Sequence, residues 1–445
     1  MMDVVAFRRD KLGYLERCAA ASDVVVPVPM RRHTWLLKDA RDVQHVLQTH
    51  PERYEKGSQR RSAAGVRLAG TGLLTLAGDA HLARKRALQP MFAQAAIVPF
   101  AEAAVALAEK RASSWTAGQV VGVAVEMAGL AQDVITQALL GRDASRADEL
   151  AAAIRDRRRY IQYWFDYPVA GRDRLPLPVV WRHRRANRVI RSILRDEIVR
   201  RRESGLGDDL LSLLLAARGT DDRGLDDDDV ADEARTIALT GYETVAEALA
   251  WTWHLLACHD EVSARVQEEV ETVTGGCRVA ASDYDALRYT RQVIAEAMRL
   301  YPPTWLFTRI AVADDRLPSG ATVAAGASLY LCPWIVHRRA MYFPDPSRFD
   351  PERFAEGRTT WPPFAYFPFG GGRHVCIGQA LARHECTLIV ATIVRTLQLR
   401  SLAGRRVVPE PAITLTPRGG LPMTVERAGG LRSPRPCNRS AAADV

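Results

Sequence analysis

The stretch from Asp226 to Ala257 reads as one helix of roughly 30 residues, ~45 Å long at ~1.5 Å per residue. Asp226, Asp227, Asp228 and Asp229 place negative charge at its start, as the helix macrodipole prefers. Glu233, Arg235, Glu243 and Glu247 interrupt it, so it is too polar to cross a bilayer. Such a helix runs through the core of a large protein. Gly241 at its middle costs ~1 kcal/mol against alanine, so it needs a reason. Thr244 can hydrogen-bond back to an i−4 carbonyl and loosen the helix locally. Together the two open a groove in the middle of the domain.

With 445 residues, length alone allows two or three domains, but no Pro/Gly/Ser-rich linker and no repeat divides the chain. Residues 1–427 are therefore expected to form one domain, with a disordered tail over 428–445. A composition 47% hydrophobic and 25% charged is enough to bury a substantial core. The seven cysteines show no C-x-x-C pair, which argues against a zinc site or disulfide framework and for a reducing compartment. The first residues carry no secretory h-region and no membrane anchor, so the expectation is a cytoplasmic protein. The net charge of +9 suits an acidic protein partner. Basic–aromatic stretches such as Arg155–Tyr160 and Trp181–Arg185 are broken by acids and prolines, and nucleic-acid binding is not expected. The Ala- and Arg-rich, Lys-poor composition suggests a high-GC bacterial source.

Chemistry concentrates in Phe369-Gly-Gly-Gly-Arg-His-Val-Cys-Ile-Gly378. Cys376 lies between a glycine turn and a helix-like run from Ile377 to Leu397. Near a helix N-terminus its thiolate gains from backbone N–H groups and the dipole, and such a thiolate can ligate a haem iron. Gly370, Gly371 and Gly372 permit φ > 0 and a close approach to a flat macrocycle. Gly378 removes a side chain beside it, and His374 is a polar donor on the propionate side.

This loop resembles that of the cytochrome P-450 family, the haem-thiolate monooxygenases, whose pattern is met at Phe369, Gly372, Cys376 and Gly378, with His374 in place of the usual arginine. The resemblance implies a mainly α fold with a small β-rich lobe, and haem b (iron protoporphyrin IX) ligated by Cys376. Thr240-Gly241-Tyr242-Glu243-Thr244 is similar to the family's Ala-Gly-x-Glu-Thr, which makes Glu243 and Thr244 the acid–alcohol pair that delivers protons and places Thr240 and Gly241 at the pocket. His81 and, one turn on, Lys85 stand where the family binds propionates; lysine lacks arginine's fork, and Arg86 is the alternative. Glu296 and Arg299 match the family's Glu-x-x-Arg, with Arg353 from Pro351-Glu-Arg-Phe354 joining a buried structural cluster. By family position, Arg309 binds a propionate and Trp305 and Leu306 approach substrate. The loop Gly57–Gly78, the aromatic stretch with its proline turn at Leu175–Pro178, and the turn Leu415–Leu421 border the pocket.

The resemblance thus implies a monooxygenase that inserts one atom of O2 into an apolar small molecule of secondary metabolism, with terpenoid, polyketide and fatty-acyl substrates all open. No Rossmann fingerprint or iron–sulfur cysteine set is present, which points to a separate ferredoxin and ferredoxin reductase. A peroxide-driven haem enzyme and a non-catalytic haem sensor or carrier are the alternatives; the Glu243–Thr244 pair argues against both.

Overall fold

The computed structural model describes residues 2–21, 25–28, 33–57, 70–141, 145–166, 177–219 and 224–428. The expected tail beyond 428, the proline turn before Leu177 and most of the Gly57–Gly78 loop lie outside the described residues. The fold is mainly helical, with small sheets gathered to one side. Seven helices position the site: α1 Gly78–Leu88, α2 Val123–Leu140, α3 Ala147–Asp166, α4 Pro178–Ser204, α5 Asp227–Cys258, α6 Arg288–Leu300 and α7 Gln379–Val394.

Helix α5 is the central element. Its N-cap carboxylate, Asp226, accepts from the Asp229 N–H at 2.7 Å, and three more aspartates fill the first turn. It packs most extensively on α2, and both helices belong to the largest apolar core. Helix α2 is long and apolar enough by itself to cross a bilayer, but here it buries that surface against α5. Of the charges that interrupt α5, Glu233 is paired with Arg84 of α1 at 2.9 Å, and the same arginine reaches Asp229 at 2.6 Å. Near the far end, the Trp251 indole donates to the Leu415 carbonyl at 2.7 Å and stacks on Tyr301, with centroids 4.0 Å apart.

The β-lobe contains a five-stranded sheet made of β1 Val25–Pro27, β2 Thr34–Leu37, β3 Tyr54–Lys56, β4 Phe307–Ala311 and β5 Ser328–Leu331, in the order β1-β2-β5-β4-β3. β1 and β2 pair antiparallel with Val25 opposite Leu37. β3 pairs antiparallel with β4, which sets Lys56 opposite Arg309. Between β2 and β3 the chain is α-helical over Ala40–Gln44 and widens to a π-turn over His45–Thr49. From that turn His45 reaches Asp315 at 2.8 Å, and Asp315 also accepts from Tyr54 Oη at 2.6 Å.

A buried ion cluster joins the two lobes. Glu296 and Arg299 of α6 form a two-pronged pair at 2.6 and 2.7 Å, both fully buried. Arg353 Nε lies 3.5 Å from Glu296. Arg299 also donates to the carbonyls of His337 (2.9 Å), Pro346 (2.8 Å) and Arg348 (3.1 Å), and Asp350 N–H donates to Glu296 at 3.0 Å. The line continues to the cysteine loop: Phe367 N–H donates to His337 Nε2 at 3.0 Å, and Gly370 N–H donates to Phe367 O at 3.0 Å.

Candidate active site

The cysteine loop closes on itself, with Cys376 N–H donating to Phe369 O at 3.0 Å and Val375 N–H to Gly372 O at 3.1 Å. Gly370 and Gly372 take φ of +71° and +61°, as expected. Gly371 does not: at φ −172° its backbone is extended. It is glycine for a steric reason, since a Cβ there would collide with the Phe364 ring. A Cβ on Gly372 would meet the Leu47 carbonyl of the π-turn. Helix α7 starts at Gln379 with Gly378 as N-cap, so Cys376 stands two residues ahead of the cap. Burial pushes the Cys376 thiol up, while a hydrogen bond from Gly378 N–H and the charge of Lys85 pull it down.

A cationic cluster stands beside this loop. His81 and His374 face each other, with Nε2 and Nδ1 3.3 Å apart and ring centroids at 4.3 Å. Burial, then the charges of Lys56, Lys85, Arg373 and Arg309, depress His81 to about 3. Burial, Lys56, Arg309, His81 and Arg373 depress His374 to about 2. The charged side chains acting on the two imidazoles are cationic, and the buried His81 Nδ1 has no hydrogen-bond partner among the described residues. A buried group of cations and neutral imidazoles without an acid suits a dianionic edge such as two propionates. Together with the exposed Cys376, these residues fit a haem.

Lys85 belongs to the cluster electrostatically, but its Nζ donates to the carbonyls of Arg373 and Val375, each at 3.0 Å. It braces the cysteine loop. Arg86 is not brought in: it is exposed and lines a surface depression with Gln89, Phe92 and Ile377. Trp305 also departs from expectation. Its indole donates to Ala412 O at 3.0 Å, and the side chain is buried in an apolar cluster with Leu12, Tyr14 and Trp334; Leu306 packs against the same cluster. The chain bends there before β4 begins at Phe307, which turns Trp305 into the core.

The motif of α5 stays helical through residues 240–244. Thr244 Oγ1 donates to Thr240 O at 3.3 Å and Thr240 Oγ1 to Thr236 O at 2.8 Å. Gly241 is also a packing residue, since a Cβ there would lie 3.0 Å from Ile135 of α2. Glu243 is buried; it accepts from Thr414 Oγ1 at 2.8 Å and pairs with Arg158 of α3 at 3.0 Å. One turn on, burial and the Glu243 charge push Glu247 up to about 8.

Three of these neighbours were not legible as site residues. Lys56 comes to Arg309 through strand register, and Arg158 and Thr414 reach Glu243 through the packing of α3 and of the segment before Leu415 onto α5. Arg158 sits in the very stretch whose mixed charges look like a solvated helix face.

The family model for cytochrome P450 matches residues 18–421. Cyclooctat-9-en-7-ol 5-monooxygenase of Streptomyces melanosporofaciens is 35% identical over 405 residues, 90% of this chain and 87% of that protein. Pentalenene oxygenase of Streptomyces avermitilis is 33% identical over 79% of this chain and 77% of its own length. Cyclooctatin synthase of Streptomyces melanosporofaciens is 31% identical over 92% and 90%. Among solved structures, retinoic acid-bound cyanobacterial CYP120A1 superposes with a TM-score of 0.81 at 23% identity, covering 88% of this chain and 89% of its own. With that match over most of its length, the chain belongs to the cytochrome P450 family and is a monooxygenase built around a cysteine-ligated haem b.

Proposed function

We propose that this monooxygenase hydroxylates or epoxidises a terpenoid of secondary metabolism, with Cys376 as the haem ligand. The observation that carries the substrate class is the set of three relatives at 31–35% identity, each named for a terpenoid-type substrate or product. Bound between the cysteine loop and α5, the haem supplies the activation of O2. The chain's own residues hold it and manage the proton. Gly378 N–H and Lys85 favour the Cys376 thiolate, and the ion cluster of Glu296, Arg299 and Arg353 holds the loop in place. His81, His374, Arg309 and Lys56 receive the propionates. Glu243, fixed by Thr414 and Arg158, passes a proton towards the Thr244 hydroxyl at the groove beside Gly241.

Electrons come from a separate acidic ferredoxin drawn by the chain's excess of positive charge. Its reduction rate should fall as salt shortens the Debye length from ~10 Å at 0.1 M to ~3 Å at 1 M. We place the protein in the cytoplasm. Cys258, Cys332, Cys376 and Cys386 form no disulfide, as a reducing compartment would keep them; the disulfide-bonded Cys277 is the exception.

The substrate class is tested by spin-state titration of the haem-loaded enzyme with a sesquiterpene hydrocarbon, a polycyclic diterpene alcohol, a macrolactone and palmitate. A terpenoid should bind at least about tenfold tighter than the others, ~1.4 kcal/mol. Tighter binding of palmitate or the macrolactone would overturn the assignment.

A further inference from the structure

We propose that Glu247 is a proton-holding group for this reaction, standing one helical turn behind Glu243 and resupplying it. The inference rests on the reading of Glu243 as relay. Residues at i and i+4 share a helix face, with Cβ atoms ~5–6 Å apart, a gap that one bridging water spans. Glu247 Oε2 is sealed from solvent and has no hydrogen-bond partner among the described residues, whereas Oε1 of Glu243 is engaged by both Thr414 and Arg158. A buried, unbonded carboxyl oxygen is tolerable when the group is neutral and costly when it is charged. The charged groups that face Glu247 are Glu243 on its own helix and Arg158 on α3, with Tyr242 beside them. Burial and the Glu243 charge hold the proton on Glu247 up to about pH 8; Arg158 opposes them.

Glu247 thus carries an unbonded carboxyl oxygen, while Glu243 sits in an ion pair. Once Glu243 has passed a proton on towards Thr244, the O–H bond of Glu247 breaks and one forms on Glu243. Glu247 becomes a carboxylate beside Arg158. Because part of its side chain reaches solvent, water then restores its proton. No oxidant or reductant enters this step. Glu247 touches neither substrate nor haem, so it acts through Glu243.

Two measurements on the full-length protein test this. In the first, stability is followed by thermal melting from pH 5 to 9. A carboxyl whose folded pKa is raised stabilises fully below its unfolded value near 4.5, and that contribution is lost as pH rises through about 8. Wild type should lose stability across this window, and Glu247→Gln, which keeps the shape of the protonated acid, should lose less. A slope unchanged in Glu247→Gln overturns the proposal. In the second, product formed per electron pair is measured for the haem-loaded protein. Glu247→Gln should lower coupling about tenfold, less than the ~10²–10⁴ of a direct acid because Glu247 acts only through Glu243. Glu247→Asp, checked for the same CO spectrum, should recover part of it. Wild-type coupling in Glu247→Gln, with Glu243→Gln uncoupled, overturns the role of Glu247 and leaves the Glu243 relay standing. Full coupling in both overturns the relay as well.

Discussion

Arg158 of α3 reaches across to Glu243 of α5 and closes on its Oε1 at 3.0 Å, the same oxygen that accepts from Thr414. The acid of the acid–alcohol pair is thus held by two elements far from it in sequence. Arg158→Ala would leave a buried carboxylate with one partner, a loss of ~1–3 kcal/mol of stability. Chemical denaturation should show that loss. A variant as stable as wild type would mean that the pair contributes nothing net.

Cys376 is distinguished from the other thiols by its place in the loop. Cys376→Ser should abolish the red-shifted Soret band of the CO-bound reduced protein. Cys386, buried inside α7, should tolerate serine with the band intact. Loss of the band in Cys386→Ser with retention in Cys376→Ser would reassign the ligand.

After burial, the charge of Lys56 acts most strongly on both His81 and His374. As a charge-assisted donor to a propionate it is worth ~1.5–3 kcal/mol. Lys56→Met should therefore speed haem loss to apomyoglobin by roughly 10–100-fold, at ~1.4 kcal/mol per decade. An unchanged rate would leave Lys56 as a brace for the carbonyls of Leu73, Leu74 and Leu76, to which its Nζ also donates.

Glu296→Ala should be the most destabilising of these changes. It strands the fully buried Arg299 guanidinium, and breaking a buried pair from one side costs ~3–5 kcal/mol. The cysteine loop should loosen with it, because Arg299 supports His337, and His337 supports Phe367. Denaturation midpoints and haem occupancy check this; a loss below ~1 kcal/mol would refute it.

Thr244→Ala should keep haem, CO spectrum and substrate affinity, since the hydroxyl donates only to Thr240 O at 3.3 Å. Electrons should instead leak to hydrogen peroxide, with coupling reduced by up to ~10²-fold, the low end of a general acid's worth. Peroxide counted against product settles it. Coupling at the wild-type level would make the mid-helix motif structural.

The sequence by itself determined what depends on short-range pattern. The capped start of α5, the Gly241–Thr244 string, the i, i+3 pair of Glu296 and Arg299 and the glycine–cysteine loop are each local, and each occupies the element expected of it. What tertiary structure decided is which side chains meet. Lys56 joins the propionate cluster only through the register that sets it opposite Arg309, and a shift of one residue would turn it to the other face of the sheet. Trp305 left the pocket for the core because the chain bends before Phe307, and Arg86 left the cluster because consecutive helical positions point ~100° apart from Lys85. The state of Glu247 follows from burial beside Glu243, which no reading of neighbours in sequence weighs, because desolvation depends on everything packed around the group.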